Sequence, residues 1–245
     1  PGHIRANPHL QSSHFVREIY ETEIFPFKES PSGIPTNISV LNVAFYPEER
    51  GPYNFDVLPG TYSAGLSSEG LLNSPRTRWG GMMRELLTND FESANIQYIK
   101  FWVMDPFVEN ADHEGGDIYF NLGNISEDIL RDSRKQFENG LPNSPLLTNV
   151  DTTVWGRVPT VQAVVQAFDN NIDSRRYQDV GLDGLSNEDE IAFFDSFIQA
   201  VGAIVSPEVM QQIMEDPSSD DFHYFRGSDY DQMQLGILER YKRFN

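Results

Sequence analysis

The clearest alternation of apolar and polar residues lies in residues 95–123, where two apolar runs flank a polar loop that contains glycines. In a β-strand successive side chains point to opposite faces, so each run offers one face to a core. The two aliphatic faces consist of Ile99, Phe101 and Val103 and of Ile118, Phe120 and Leu122. The pattern therefore predicts a β-hairpin. We call its two strands, residues 98–104 and 118–122, the central segments.

Three other stretches also have the character of strands. Residues 38–46 are rich in branched and aromatic side chains, and Pro47 would end a strand there. Residues 78–86 contain two adjacent glycines, which weaken a helix and are compatible with a bulged strand. A strand or turn is expected around Trp155. These stretches predict an α+β fold in which residues 36–170 form a β-sandwich. The sandwich is either a plain one or one of the jelly-roll type.

The period changes to that of a helix after Asp183. A first stripe consists of Ile191, Phe194, Ile198, Val201 and Val205, and a last one of Tyr230, Met233, Ile237, Tyr241 and Phe244. Ser186, Ser206 and Ser228 stand where N-caps are expected. A short helix is predicted for residues 126–137. Residues 161–168 form either a final strand or a buried helix, and their alanine and glutamine content favours the helix. Residues 171–245 are thus expected to form a C-terminal helical part that packs on the sandwich, and residues 1–35 an N-terminal arm or linker.

Composition narrows the class of protein. The chain of 245 residues has 37 acidic and 18 basic side chains, a formal net charge of −19 and an apolar content of 39%. Such a charge repels phosphate backbones and anionic lipid, so nucleic acid is not expected as a partner. The chain has no cysteine, which excludes disulfides and thiolate metal sites. No apolar run approaches the roughly 20 residues of a spanning helix, so this segment is not expected to span a membrane.

Residues 179–190, DVGLDGLSNEDE, have the length and end points of a calcium loop. In that register the side-chain ligands are Asp179, Asp183, Asn187 and Glu190, with Gly184 at the turn. The third position, normally a ligand, is a glycine. The loop is therefore a degenerate calcium motif, and its alternative is a polar turn that caps the next helix. No cofactor other than Ca²⁺ is expected.

Evidence for catalysis is weak. The acidic pairs Glu188–Glu190 and Asp220–Asp221 lie where carboxylates would offset a helix dipole. A glycosidase would require two distant acids to converge in a cleft, such as Asp105 and Asp117. We therefore expect a protein without enzymatic activity.

Exposed aromatic rings are the other functional lead. Tyr98, Trp102 and Tyr119 lie on the same face of the predicted hairpin, and aromatic platforms on β-sandwiches bind sugars. The favoured alternative is that the helical part covers these rings as core, because its apolar stripes need a partner. A glycan-binding sandwich remains the competing function.

Eight long motifs occur in order from residue 50 to residue 245. They are RGPYNFD (50–56), RWGGMMREL (78–86), FESANIQYIKFWVMDPF (91–107), GGDIYFNLGNISEDIL (115–130), KQFENGLP (135–142), WGRVP (155–159), QDVGLDGLSNEDE (178–190) and ILERYKRFN (237–245). Together they resemble the SprA family, also called Sov, the giant outer-membrane translocon protein of the type IX secretion system and of gliding motility.

The resemblance implies a role without catalysis. Members of that family form a very large β-barrel pore through which cargo proteins leave the cell, and this segment would be a soluble insertion of the pore protein. It would cap or line the pore, or contact secreted cargo, accessory outer-membrane subunits and the rest of the barrel. The resemblance favours the extracellular over the periplasmic side of the outer membrane. It supplies no catalytic residues.

Overall fold

The computed structural model describes residues 2–29, 33–34, 36–88, 90–124, 130, 141–146, 148–161, 171–175, 177–178, 183–221 and 223–243. Its helices are α1 (Gly2–Ala6), α2 (Pro8–Ser12), α3 (Glu21–Ile24), a 3-10 turn (Pro75–Thr77), α4 (Ile172–Arg175), α5 (Asn187–Phe193), α6 (Asp195–Gly202), α7 (Pro207–Glu215), α8 (Ser228–Gln232) and α9 (Ile237–Lys242). In these residues the only sheet is the antiparallel pair β1 (Val150–Thr153) and β2 (Gly156–Pro159). The predicted β-sandwich, plain or jelly-roll, is therefore wrong.

The chain divides into two compact units. Unit 1 contains Pro1–Ala44, Gly80–Gly123 and Ser228–Lys242, and unit 2 contains Phe45–Trp79, Asn124–Gly227 and Arg243–Asn245. Among the described residues, none of the helices has the length and hydropathy needed to cross a membrane.

The hydrophobic core lies in unit 2. Its buried side chains are Val57, Leu66, Leu72, Leu185, Phe194, Phe197, Val201 and Ile213. Helices α5, α6 and α7 pack on one another, and three of the buried side chains, Phe197, Val201 and Ile213, lie in α6 and α7. The ring of Phe55, from the loop before the helices, stacks on Phe194 at 4.1 Å between centroids and meets Phe197 edge-on at 5.4 Å. Burial of these rings is the main apolar stabilisation of the unit.

The helix starts in unit 2 follow the predicted caps. The hydroxyl of Ser186 accepts a hydrogen bond from Asp189 N, and that of Ser206 accepts one from Val209 N, each at 3.3 Å. Each bond satisfies a backbone donor that has no partner within its helix. The last predicted helix is instead two short ones, because Gln234 has a left-handed φ of +56° between α8 and α9.

The central segments lie in unit 1 and form no strand. The rings of Phe101 and Phe120 are 4.7 Å apart, so the segments do lie side by side, but no backbone ladder joins them. Tyr98, Trp102 and Tyr119 are 76%, 71% and 79% exposed. The prediction that the helical part covers these rings is therefore wrong. Residues 38–46 and 78–86 are also without strands in the structure.

The turn around Trp155 is confirmed, since it joins β1 to β2. Several predictions fall outside the described residues. They are the helix at 126–137 apart from residue 130, the run 162–168, the calcium-loop residue Asp179 and the stripe residue Phe244.

Candidate metal centre

The turn that carries Asp183 is held against strand β2 by a close backbone approach. Arg157 N donates a hydrogen bond of 2.6 Å to Asp183 O. Gly184 has a φ of +73°, and a Cβ built on it would lie 2.4 Å from Arg157 O. Glycine is therefore required here both by conformation and by space. The hairpin and the glycine together fix the direction in which the Asp183 side chain leaves the backbone.

Three buried carboxylates meet beside this turn. Asp183 precedes α5, Glu190 lies in the first turn of α5, and Asp220 lies in the loop between α7 and α8. One oxygen of each carboxylate lies within 4.8 Å of those of the other two. The three residues are 1%, 0% and 1% exposed. Carboxylates are seldom buried this completely unless a partner stabilises their charge.

Hydrogen bonds tie the segment 183–190 to the loop 216–221. Ser218 provides two of them, since its backbone N donates to Glu190 Oε2 at 2.9 Å and its hydroxyl donates to Asp183 Oδ2 at 2.6 Å. Asp183 N donates to Asp220 Oδ2 at 3.0 Å. Asp183 Oδ1 also accepts from Leu185 N at 2.9 Å. The loop and the start of α5 therefore form one structure around the acids.

The acids resist ionisation. Burial, together with the nearby charges of Asp183 and Asp220, raises the pKa of Glu190 to about 8, and the Ser218 hydrogen bonds oppose this rise. Burial also raises the pKa of Asp183 to about 6. The pKa of Asp216 in the same loop is raised by burial and by the charge of Asp221. The cause in each case is that removal from water disfavours the charged form and like charges add to the effect.

Arg50 and Arg157 are cations that the structure places near the cluster, and the charge of Arg157 acts on Asp183. Burial lowers the pKa of Arg50 to about 10, although the charges of Asp216, Glu190 and Asp220 oppose that change. Its Nη2 donates to the carbonyl of Pro217, and its guanidinium lies 4.8 Å from the centroid of the Phe197 ring. Its Nη1 is buried without a hydrogen-bond partner, as is Glu190 Oε1. Arg50 therefore lowers the net negative charge of the site without bonding to the free oxygen of Glu190.

The structure brings together two of the four predicted calcium ligands. Asp183 and Glu190 meet as the calcium-loop register requires. Asn187 does not join them, because its Nδ2 donates to the carbonyl of Glu215 and to Asp221 Oδ2. Asp179 lies outside the described residues. Whether an ion binds stays a prediction.

Asp220 is the member of the cluster that sequence reasoning missed. The pair Asp220–Asp221 had been assigned to a helix start, but α8 begins only at Ser228. Asp220 accepts the backbone N–H of Asp183, which lies 37 positions earlier in the chain. The sequence signal that could have identified Asp220 is the adjacent pair of acids, which no helix of the described residues directly follows.

The other predicted site residues do not form a comparable site. Tyr98, Trp102 and Tyr119 are exposed, and the Trp102 ring contacts Phe25 edge-on at 6.2 Å. Asp105 Oδ1 accepts from the backbone N of Phe107, and Asp117 Oδ2 accepts from the hydroxyl of Tyr119. Both acids thus bind neighbours two positions away.

Comparison with known proteins gives one family. Residues 196–245 match the family model SprA_N, described as motility related/secretion protein. Searches of the curated proteins and of the solved structures find no match. The matched segment contains the loop 216–221 of the cluster, together with α7, α8 and α9. This match confirms that the chain resembles the SprA family and relates it to motility and secretion.

Proposed function

We propose that this chain is a non-catalytic module of a giant outer-membrane pore for protein export, the translocon of type IX secretion and gliding motility. The family match supports the link to secretion and motility. In this proposal the module contacts the rest of the same export protein, and through it accessory subunits and cargo. Its place is the outer membrane, on the extracellular side.

The observation that carries the proposal is the exposure of unit 1. The central segments expose both aliphatic and aromatic side chains, with Ile118 at 67%, Phe101 at 54% and Phe120 at 58%. Single exposed apolar residues are ordinary on protein surfaces, but consecutive ones on adjoining segments are typical of an interaction surface. The segments therefore have the composition of an interface that another part of an assembly covers.

A β-rich partner fits these segments best. Both have the alternation and the branched or aromatic content of strands, yet neither pairs with a strand in the part of the chain that the structure describes. Extended backbone with unpaired N–H and C=O groups readily adds to the edge of a sheet. The partner in this proposal is a β-structured part of the same export protein, because members of the family that the chain resembles form a large β-barrel.

The acidic balance suits a position beside passing cargo. With a net charge of −19, the chain would repel anionic segments of passing cargo. One module can bury its apolar surface against the rest of the assembly and present an acidic surface to the conduit.

A cysteine-protection experiment tests this assignment, and the absence of cysteine from the chain simplifies it. Tyr119→Cys would be labelled with a maleimide in the isolated chain and in outer-membrane particles that contain the full-length export protein. We expect rapid labelling in the isolated chain, since Tyr119 is 79% exposed, and at least tenfold slower labelling in the particles.

Phe27→Cys is the matched control, because Phe27 is 97% exposed and lies outside the central segments. It should be labelled at similar rates in both preparations. Equal rates for Tyr119→Cys in the two preparations would contradict the proposal. As a functional arm, Phe101→Asp with Phe120→Asp should reduce cargo secretion and gliding while the protein remains in the membrane fraction.

Glycan binding is the competing function, and the exposure of Tyr98, Trp102 and Tyr119 is the observation in its favour. Titration of the chain with cell-surface polysaccharides separates the two functions. Saturable binding that is lost in Trp102→Ala, with the far-UV circular dichroism spectrum unchanged, would support a sugar platform. Absence of binding is expected if the rings serve assembly.

A further inference from the structure

The buried carboxylates of unit 2 concentrate negative charge in one small space. Asp183, Glu190 and Asp220 are each at least 99% buried and their oxygens lie within 4.8 Å of one another. Three ionised groups this close repel one another strongly in a medium from which water is excluded. Arg50 and Arg157 bring positive charge to their vicinity, and neither donates a hydrogen bond to Glu190 Oε1.

A second observation points to a missing ligand. Glu190 Oε1 is fully shielded from solvent and has no hydrogen-bond partner, although Oε2 of the same group accepts from Ser218 N. Buried polar atoms in folded proteins nearly always have a partner. The unpartnered oxygen belongs to Glu190, and the charges of both Asp183 and Asp220 act on this carboxylate. The cluster is thus a set of acids with a free ligand atom.

The spacing of the oxygens agrees with a calcium ion. Calcium binds six to eight oxygens at about 2.3–2.6 Å, so two oxygens on opposite sides of one ion are at most about 5 Å apart. The observed limit of 4.8 Å falls within that span. Three carboxylates offer up to six oxygens, and an oxygen that already accepts one hydrogen bond retains a lone pair for a cation. Oxygen-only sites without nitrogen or sulfur favour hard cations.

A second trio of acids is less suitable. Asp216 and Asp221 also lie near Asp220, but Asp221 is exposed and its Oδ2 accepts from Asn187. Asp216 Oδ1 accepts from the backbone N of Asp220. These contacts fix the shape of the loop around the buried trio.

We infer that Asp183, Glu190 and Asp220 form a calcium site that clamps the loop 216–221 to the start of α5. The site differs from the one that the sequence register predicts, because Asp220 joins it and Asn187 does not. The ion would replace repulsion between the two segments with attraction, so that the loop stays attached to the helical core. The inference concerns unit 2 alone and does not depend on the proposed function.

The test begins with the 245-residue chain freed of divalent ions on a chelating resin. Calorimetric titration with CaCl₂ should give one ion per chain, and CaCl₂ should raise the thermal unfolding midpoint. MgCl₂ at the same ionic strength should bind at least tenfold more weakly, because magnesium requires a tighter octahedral arrangement.

Two variants and one matched control locate the site. Glu190→Gln and Asp220→Asn should each weaken Ca²⁺ binding by at least about 100-fold, beyond the 10- to 100-fold typical of losing an outer-shell partner. Glu188→Gln makes the same chemical change at an exposed position two residues away and should leave the affinity within twofold. Without divalent ions Glu190→Gln should fold at least as stably as the native chain, because it removes a buried acid that resists ionisation.

Three results would overturn the inference. The first is a thermal unfolding midpoint of the native chain that stays the same when millimolar Ca²⁺ is added at matched ionic strength. The second is an unchanged affinity in both Glu190→Gln and Asp220→Asn. The third is equal binding of Mg²⁺ and Ca²⁺, which would remove the assignment to calcium. The first result needs no variant, so a variant that fails to fold does not prevent the test.

Discussion

Unit 1 and unit 2 use similar amounts of apolar sequence in opposite ways. In unit 2 the helices α5, α6 and α7 bury Phe194, Phe197 and Val201 in one core. In unit 1 the buried apolar side chains among the described residues are Ile4, Ile19 and Tyr230, while the central segments remain exposed. A helix satisfies its own backbone hydrogen bonds, but a strand needs a neighbour to do so. The difference shows that apolar periodicity becomes a core only where partners are present.

The two units also treat buried charge differently. In unit 1 the guanidinium of Arg240 is 1% exposed and its Nη2 donates to Asp231 Oδ1 at 2.6 Å. In unit 2 three carboxylates share a buried space, with the charges of Arg50 and Arg157 nearby. An opposite charge stabilises the ionised form, whereas like charges disfavour it. Unit 1 thus holds a paired charge and unit 2 an excess of one sign.

Replacement of a core ring should have the largest effect. Phe194→Ala removes a ring that is 6% exposed and stacks on Phe55, so we expect a loss of about 3–5 kcal/mol in the free energy of unfolding. Phe101→Ala is the control in unit 1, where the ring is 54% exposed, and should cost below about 1 kcal/mol. Denaturant unfolding followed by circular dichroism measures both. Equal losses would contradict the contrast between the units.

Glycine substitution separates strain from steric clash. Gly184→Ala places a Cβ 2.4 Å from Arg157 O at a φ of +73°, and we expect a loss of about 2–4 kcal/mol. Gly115 in unit 1 has a similar φ of +82° but open space around it, so Gly115→Ala should cost about 1 kcal/mol. Thermal unfolding of the two variants gives the difference. A larger loss for Gly115→Ala would show that the close approach of β2 to the Asp183 turn is not maintained.

A change in pH should alter the stability contributed by Glu190 and the stability contributed by Asp231 in opposite directions. Without divalent ions, folding favours protonated Glu190, whose pKa is raised to about 8 from 4.5. Stability contributed by this group should therefore fall as the pH rises from about 5 to 8, by about 1–3 kcal/mol after allowance for solvent screening. The Arg240 hydrogen bond lowers the pKa of Asp231, so the stability that Asp231 contributes is lost only as the pH falls below its ordinary value of 3.8.

Glu190→Gln is the variant for this measurement, and Glu188→Gln is its control. The unfolding midpoint of Glu190→Gln should change less between pH 5 and pH 8 than that of the native chain. Glu188→Gln should follow the native chain. A native midpoint that rises across this range would show that Glu190 is ionised and stabilised in the folded protein.

Local signals in the sequence were sufficient for the starts of α5 and α7 and for the apolar stripe that packs in the core of unit 2. Ser186 and Ser206 cap α5 and α7 as predicted, and the stripe from Phe194 to Val201 lies in the core. These elements depend on contacts within one or two turns, so a pattern over a few residues specifies them. The last stripe failed because Gln234 takes a left-handed conformation, which the apolar spacing does not reveal.

The sequence by itself determined the capped helices, the glycine turn at Gly184 and two of the three members of the acidic cluster, because each rests on interactions between near neighbours. Tertiary structure alone decided that Asp220 meets Asp183, since 37 positions of chain separate the two residues. It also decided that the central segments stay exposed. An alternating pattern records that one face of a strand can be buried, but it cannot specify a partner that lies far away in the chain or on another molecule.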